Sequence, residues 1–263
     1  MKDYQLSVPS AALGRSVSVR FLVPKGGFGL RFLLLLHGYQ GDHNQWCKCS
    51  IISDFAKQYN CVVVMPSCGD LYYEDTIEDI PRFVGEELVS FVMNTLPVSR
   101  NRRDCYLAGV SMGGFGSLLI GAKYAHSFGK IVALSGAFII PDVVIGNPGV
   151  LGNANPDYFK KVFGDFDTLE GSTRDPVAEI IRTSDTGVLP EIFLLCGSAD
   201  VLHQGNLKVV KELRKHNIPV VWCSYKGTHN WTFWNAALPA IFKWLVEDYA
   251  PEGADNGNIT SLN

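Results

Sequence analysis

The 263-residue chain is 47% hydrophobic and 19% charged, the balance of an ordinary globular protein and unlike that of a disordered one. Its 23 basic and 26 acidic residues leave a formal net charge of −3 with no basic block, which excludes the electrostatic footprint of a nucleic-acid binder or of a protein adhering to an anionic membrane. No run approaches the roughly 18 apolar residues of a membrane span, and the start, Met1 to Pro9, lacks the apolar core of a secretory signal, so a cytoplasmic protein is expected.

Gln5 to Val8 and Ser16 to Val23 read as opening strands. In the second, Val17, Val19, Phe21 and Val23 alternate with Ser18, Arg20 and Leu22, the pattern of a hairpin at a sheet edge with one wet face. Pro24 to Gly29 makes a turn. Phe32 to Leu36 is apolar without alternation, as suits a strand covered on both faces, and ends in His37-Gly-Tyr-Gln-Gly41. A helix over 50–59 leads to a second such strand, Cys61 to Met65, closed by Pro66. From Ile80 to Leu96 apolar residues recur at helical spacing and stop before Pro97. Cys105 to Ala108 is the next strand, followed by a helix expected over Met112 to Tyr124. Ile131 to Leu134, Ile192 to Leu195 and Val220 to Cys223 supply three more strands. Further helices are expected over Leu207 to Lys215 and Phe233 to Tyr249. This alternation predicts an α/β fold: a mostly parallel central sheet, right-handed crossovers and helices on both faces.

The rhythm breaks between Phe138 and Leu189, where Gly, Pro, Asn and Asp abound and Tyr158-Phe159 and Val162-Phe163 are short apolar groups. Too long for a plain connection and too poorly patterned for a domain, the interval 138–189 reads as a small cap over the strand ends. Within it, Asp175 before Pro176 reads as a helix N-cap. One domain is expected over 1–250, with 251–263 a disordered tail. The seven cysteines, an odd number, read as reduced thiols, and Cys47 and Cys49 lack metal-ligand spacing, so no metal site is expected.

Chemistry concentrates at Gly109-Val-Ser-Met-Gly-Gly114, where glycines crowd Ser111 between a strand and a helix. In that setting Gly-x-Ser-x-Gly reverses the backbone so sharply that the flanking positions cannot carry a Cβ, and the serine hydroxyl stands proud of the sheet edge. Such a serine needs a base and an orienting acid, supplied later in the chain from loops at strand ends. Three of the six histidines follow strands closely. His37 precedes the serine and His203 begins a helical region. His229 follows the strand at 220–223 and the turn Lys226-Gly-Thr228, so position and order select it. Asp200 ends the buried strand and glycine turn that start at Ile192, whereas Asp165, Asp167 and Asp175 follow no strand. A carboxylate at 200 would hold the His229 tautomer and stabilise the imidazolium. The oxyanion formed on attack needs two backbone donors: the amide of Met112 at a helix start, and one from the loop after Gly38, with Tyr39 best placed ahead of Gln40 and Gly41.

Four blocks resemble those of the esterase D branch of the α/β-hydrolases. They are Leu33 to Gly38 with Asn44-Gln-Trp46, Ala108 to Gly116, Cys196-Gly-Ser-Ala-Asp200 and Gly227-Thr-His-Asn-Trp-Thr-Phe-Trp234. The branch includes tributyrin-type, feruloyl and acetyl-xylan esterases, S-formylglutathione hydrolase and the mycolyltransferases. The resemblance implies an α/β-hydrolase fold with a triad of Ser111, Asp200 and His229, and an oxyanion hole built from the amides of Tyr39 and Met112. Asn230 departs from the pattern, since many relatives place an acid there. The expected activity is a serine carboxylesterase acting through an acyl-enzyme, without cofactor, on short-chain acyl, acetyl or hydroxycinnamoyl esters, acylated oligosaccharides included. Gln40, Trp231 and Trp234 are expected to contact this small-molecule substrate, although Trp231 and Trp234 also suit a helix core. An acyltransferase or thioesterase using the same serine is one rival reading, and an inactive binding module of the same fold is another. Neither nucleic acid nor membrane is an expected partner; a homo-oligomer is left open.

Overall fold

The computed structural model describes residues 1–140 and 156–255. The alternating start forms a hairpin, β1 (Lys2–Ser10) against β2 (Arg15–Val23), turning through Gly14 at a φ of 61°. The continuous apolar runs become β3 (Phe32–Leu36), β4 (Val62–Pro66), β5 (Cys105–Val110), β6 (Lys130–Leu134), β7 (Glu191–Gly197) and β8 (Val221–Tyr225). All eight pair in one sheet of order β1-β2-β4-β3-β5-β6-β7-β8; β2 runs antiparallel to both its neighbours, β1 and β4, and every other pair is parallel.

Neighbouring residues of the buried strands point to opposite faces and so build two cores. Leu34, Leu36, Val64, Leu107, Ile131 and Ala133 join one, and Leu33, Leu35, Val63, Tyr106, Val132 and Leu134 the other. The second is covered by α1 (Gln45–Cys49), α2 (Ile52–Gln58) and the long final helix, Trp231–Glu247, through Trp46, Phe55 and Phe242. The first is covered by α5 (Met112–Lys123) and by the helical stretch at 80–95. Each large side chain so buried contributes roughly 1.5–3 kcal/mol.

The stretch at 80–95 is not uniformly α-helical. α3 (Ile80–Arg82) and α4 (Val89–Thr95) are joined by a π-helical turn, Phe83–Leu88. Gly85 lies in that turn because a Cβ there would come within 2.4 Å of the Tyr124 ring. Its carbonyl accepts the Ser127 hydroxyl at 2.8 Å, giving a side-chain partner to a group in the wider turn.

The interval 138–189 differs from the expected cap. α6 (Pro156–Phe163) packs Phe159 and Phe163 edge-on or tilted against the ring of Tyr72, and Phe163 edge-on against Phe115 as well. α7 (Pro176–Ser184) is instead the crossover helix between β6 and β7; it lies along α5 and along α8 (His203–Lys215). Its N-cap is Asp175, whose carboxylate accepts from the amides of Val177 and Ala178 at 2.9 and 3.4 Å. Adjacent parallel strands need such a crossover, and its brevity hid it in a polar stretch. Residues 141–155 of the expected cap lie outside the described residues.

The tail expected from 251 is also corrected, up to Asp255. That residue exchanges both backbone hydrogen bonds with Trp222, at 2.9 and 3.2 Å, and Arg214 holds its carboxylate at 2.9 Å. Backbone pairing and one ion pair hold this segment, so its polar composition gave no sign of order. Residues 256–263 lie outside the described residues. No helix among the described residues is long and apolar enough to cross a membrane.

The final helix is α9 (Trp231–Glu247). From β3 the chain moves outward to β4, whereas from β5 it proceeds the other way through β6, β7 and β8. The order therefore reverses between β3 and β5, leaving a crevice at their carboxyl ends.

Candidate active site

Ser111 occupies that crevice, between β5 and α5, at φ 56° and ψ −115°, a backbone conformation that favours glycine. Four backbone bonds hold it there: its N–H donates to Leu134 O, and its carbonyl accepts from Gly114, Phe115 and Ala137, all at 2.9–3.1 Å. The reversal is tight enough that a Cβ on Gly109 would lie 2.2 Å from Gly113 O, and one on Gly113 2.6 Å from Leu36 O.

The loops after β7 and β8 bring Asp200 and His229 to the same edge. His229 Nε2 lies 3.0 Å from Ser111 Oγ, and its Nδ1 lies 3.1 and 3.0 Å from the two Asp200 carboxylate oxygens. A carboxylate can only accept, so Nδ1 carries the proton and Nε2 presents its lone pair to the serine hydroxyl. The Asp200 side chain is fully buried. Burial alone would raise its pKa, but hydrogen bonds from His229, the Leu202 amide and Ser135, with the His229 charge, outweigh it and hold the carboxyl below its ordinary value. Ser135 is free to donate because its own oxygen accepts the Trp234 indole N–H at 3.1 Å. The Trp234 ring meets His229 edge-to-face at 4.9 Å. Asn230, the departure noted in the sequence, caps α9 by accepting the Phe233 amide at 3.0 Å.

On the other side of Ser111 the loop after β3 is tied down atom by atom. His37 is buried, its Nε2 accepts the Cys68 amide at 3.1 Å, and Nδ1 therefore donates to Gly38 O at 2.8 Å. Burial lowers the His37 pKa and keeps the ring neutral, as this pair of bonds requires. Gly41 N–H also donates to Gly38 O, at 3.0 Å. In a trans peptide the carbonyl and the following N–H point to opposite sides, so these bonds also fix the direction of the Tyr39 N–H. Neighbouring amides are taken: Gly38 donates to Gln45 Oε1 at 2.9 Å and Gln40 to Asp70 Oδ1 at 2.6 Å. Among the described residues, no such partner engages the amide of Tyr39. Met112 opens α5, where the first amides of a helix have no intrahelical partner and the helix dipole is positive.

A pocket of about 400 Å³ opens here, lined by Tyr39, Gln45, Tyr72, Ser111, Trp231 and Trp234 among others. The structure thus brings together Ser111, Met112, Asp200, His229, Tyr39, Trp231 and Trp234. Gln40 is the exception: it is exposed, its amide is committed to Asp70, and Gln45 is the glutamine in the described lining. Sequence reasoning also missed Tyr72 and Ser135 as parts of the site, and placed His37 only at the opening of the oxyanion loop, without its part in tying that loop down. The position of His37 directly after a strand was the one available signal. A larger cavity, about 710 Å³, opens between α7 and α8 beside Ile181, Leu202 and Val209, and Ser111 and His229 are not in its described lining.

The esterase family model, described as "Putative esterase", matches residues 10–245. The chain is 35% identical over 222 residues to an acetyl esterase of Caldicellulosiruptor saccharolyticus, covering 82% of this chain and 83% of that one. Among solved structures, FphF of Staphylococcus aureus, a fluorophosphonate-binding serine hydrolase, is similar with a TM-score of 0.84 at 22% identity, over 93% of this chain and 98% of that one. A ferulic acid esterase is similar with a TM-score of 0.78 at 19% identity, over 94% and 98%. These two share the α/β-hydrolase fold that the sequence led us to expect.

Proposed function

The chain belongs to the esterase family and is a serine carboxylic ester hydrolase; from that premise we propose that Ser111 is its nucleophile, His229 its general base and acid, and Asp200 the carboxylate that orients His229. The observation that carries this reading is the unbroken line of hydrogen-bonding distances from Ser111 Oγ through both His229 nitrogens to Asp200. As Ser111 Oγ bonds to the ester carbonyl carbon, its proton passes to His229 Nε2 and negative charge gathers on the carbonyl oxygen. The amides of Met112 and Tyr39 stabilise that oxyanion, each contributing about 3 kcal/mol. Collapse breaks the ester C–O bond, the alcohol leaves with the Nε2 proton, and water repeats the sequence on the acyl-enzyme. No step calls for a cofactor.

The favoured substrates are acetyl and other short-chain acyl esters, with hydroxycinnamoyl groups at the upper end of what the pocket admits. Its volume of about 400 Å³ and the similarity to an acetyl esterase support this choice. Half-buried Trp231 and the exposed Tyr39 give it aromatic surfaces suited to an acylated sugar. A panel of nitrophenyl and hydroxycinnamoyl esters tests the acyl group. Competing alcohols and thioesters in the same panel reveal acyl transfer or thioester cleavage by the same serine. Fluorophosphonate labelling that persists in Ser111→Ala would refute the assignment of the nucleophile.

A further inference from the structure

We propose that Asp70 is a positioning residue for the oxyanion hole, and that Tyr158 of α6 links the 138–189 insertion to it. The proposal rests on the reading of the Tyr39 amide as an oxyanion donor. The N–H of Tyr39 lies in the peptide it shares with Gly38, while the peptide that follows fixes the loop on the other side of its Cα and so where that donor sits. The first is held by His37 and Gly41 through Gly38 O, both within the loop itself. The second, between Tyr39 and Gln40, is held from outside by the Asp70 carboxylate, which accepts the Gln40 N–H at 2.6 Å. That is the length of a charge-assisted bond, about twice as strong as one between neutral groups.

An acceptor is needed there because Gln40 sits at a φ of 58°, in the left-handed region that non-glycine residues adopt reluctantly. Without Asp70, Gln40 would relax to negative φ, and the loop backbone at Tyr39, released on that side, would shift its N–H away from the site. Asp70 is itself anchored through its backbone: its carbonyl accepts the Tyr158 hydroxyl at 2.6 Å. The Tyr158 ring also meets Tyr39 edge-on, with centroids 5.5 Å apart. One side chain of the insertion therefore touches both the loop that carries the donor and the residue that braces it.

Electrostatics sharpen the test. A carboxylate near a growing oxyanion opposes it, so charge cannot be what Asp70 supplies; the acceptor oxygen is. Asp70→Ala should lower kcat at least about tenfold, less than the 10²–10³ lost with a whole oxyanion donor, while KM moves by less than about threefold. Asp70→Asn keeps an acceptor and should recover kcat to within about threefold of the parent. A trifluoromethyl ketone, which forms a tetrahedral adduct on the serine, should lose affinity for Asp70→Ala in parallel with kcat. Tyr158→Phe should lower kcat about threefold or more with KM unmoved, and carries the test if Asp70→Ala does not fold. The proposal is overturned by parental kcat in Asp70→Ala, by equal damage in Asp70→Asn and Asp70→Ala, or by unaltered ketone affinity. Active-site titration with a fluorophosphonate separates the two levels. If Ser111 fails to label, the reading of the nucleophile falls; if it labels and the variants behave as the parent, only the role of Asp70 falls.

Discussion

Replacing Glu74 with Gln should change how stability depends on pH. Glu74 follows Tyr72 and Tyr73, two residues at positive φ, and is 1% exposed. Among the described residues, neither of its carboxylate oxygens has a hydrogen-bond partner. Burial pushes its carboxyl from 4.5 up to about 8; Asp75 adds to the rise, and Lys123 and Arg174 oppose it. The unfolded chain loses this proton near pH 4.5, whereas the folded protein keeps it until about pH 8. Between those values the folded state binds more protons, so stability is fully present below the window, falls as pH rises through it, and levels off above. The slope approaches 1.4 kcal/mol per pH unit, which accumulates to about 3 kcal/mol at pH 7. Gln cannot ionise, so Glu74→Gln should lack this loss. It should match the parent or fall slightly below it near pH 4, where its amide also lacks partners, and exceed it by up to about 3 kcal/mol at pH 7. Urea denaturation of both proteins between pH 4 and 8.5 measures the difference. Parallel profiles, or a variant weaker than the parent at pH 8, would show that Glu74 is charged and paired, and the reasoning would fail.

Asp200→Asn should preserve the fold but favour the wrong His229 tautomer, lowering kcat by about 10⁴; near-parental turnover would remove Asp200 from the proposed mechanism. Gly109→Ala places a methyl group 2.2 Å from Gly113 O and should destabilise by several kcal/mol, roughly 3 or more, or prevent folding. A folded, fully active Gly109→Ala protein would contradict the geometry of the turn. Lys130→Met removes an ammonium that donates to Trp244 O at 2.7 Å and pairs with Asp248 at the end of α9. Loss of about 2 kcal/mol in chemical denaturation, with kinetics unchanged, is expected.

The sheet was legible because a strand covered on both faces must be apolar throughout; β3 falls on the five residues that its run marks out. Gly109, Ser111 and Gly113 were legible because a turn this close admits no other spacing, and Asp200 and His229 because the parallel order sends each later strand to the same edge. The remainder depends on contacts that the chain order does not record. α7 was obscured by its polar surroundings, and the need for Gly85 within the π turn at Phe83–Leu88 comes from the ring of Tyr124, distant in sequence. Gln45 lines the pocket where Gln40 was expected because α1 folds back beneath the loop, so proximity along the chain misled. The parts played by His37, Ser135 and Tyr158 follow from which atoms they bond, and residue type alone cannot announce that.

The bridge between Asp255 and Trp222 has a consequence for the outer rim of β8. As the last strand of an open sheet, β8 would otherwise offer unpaired amides and carbonyls to any passing extended segment. Asp255 engages Trp222 there, with Arg214 as its clasp. A chain shortened to Tyr249 would bare this rim, and molecules so trimmed should fail first by sticking to one another in concentrated solution.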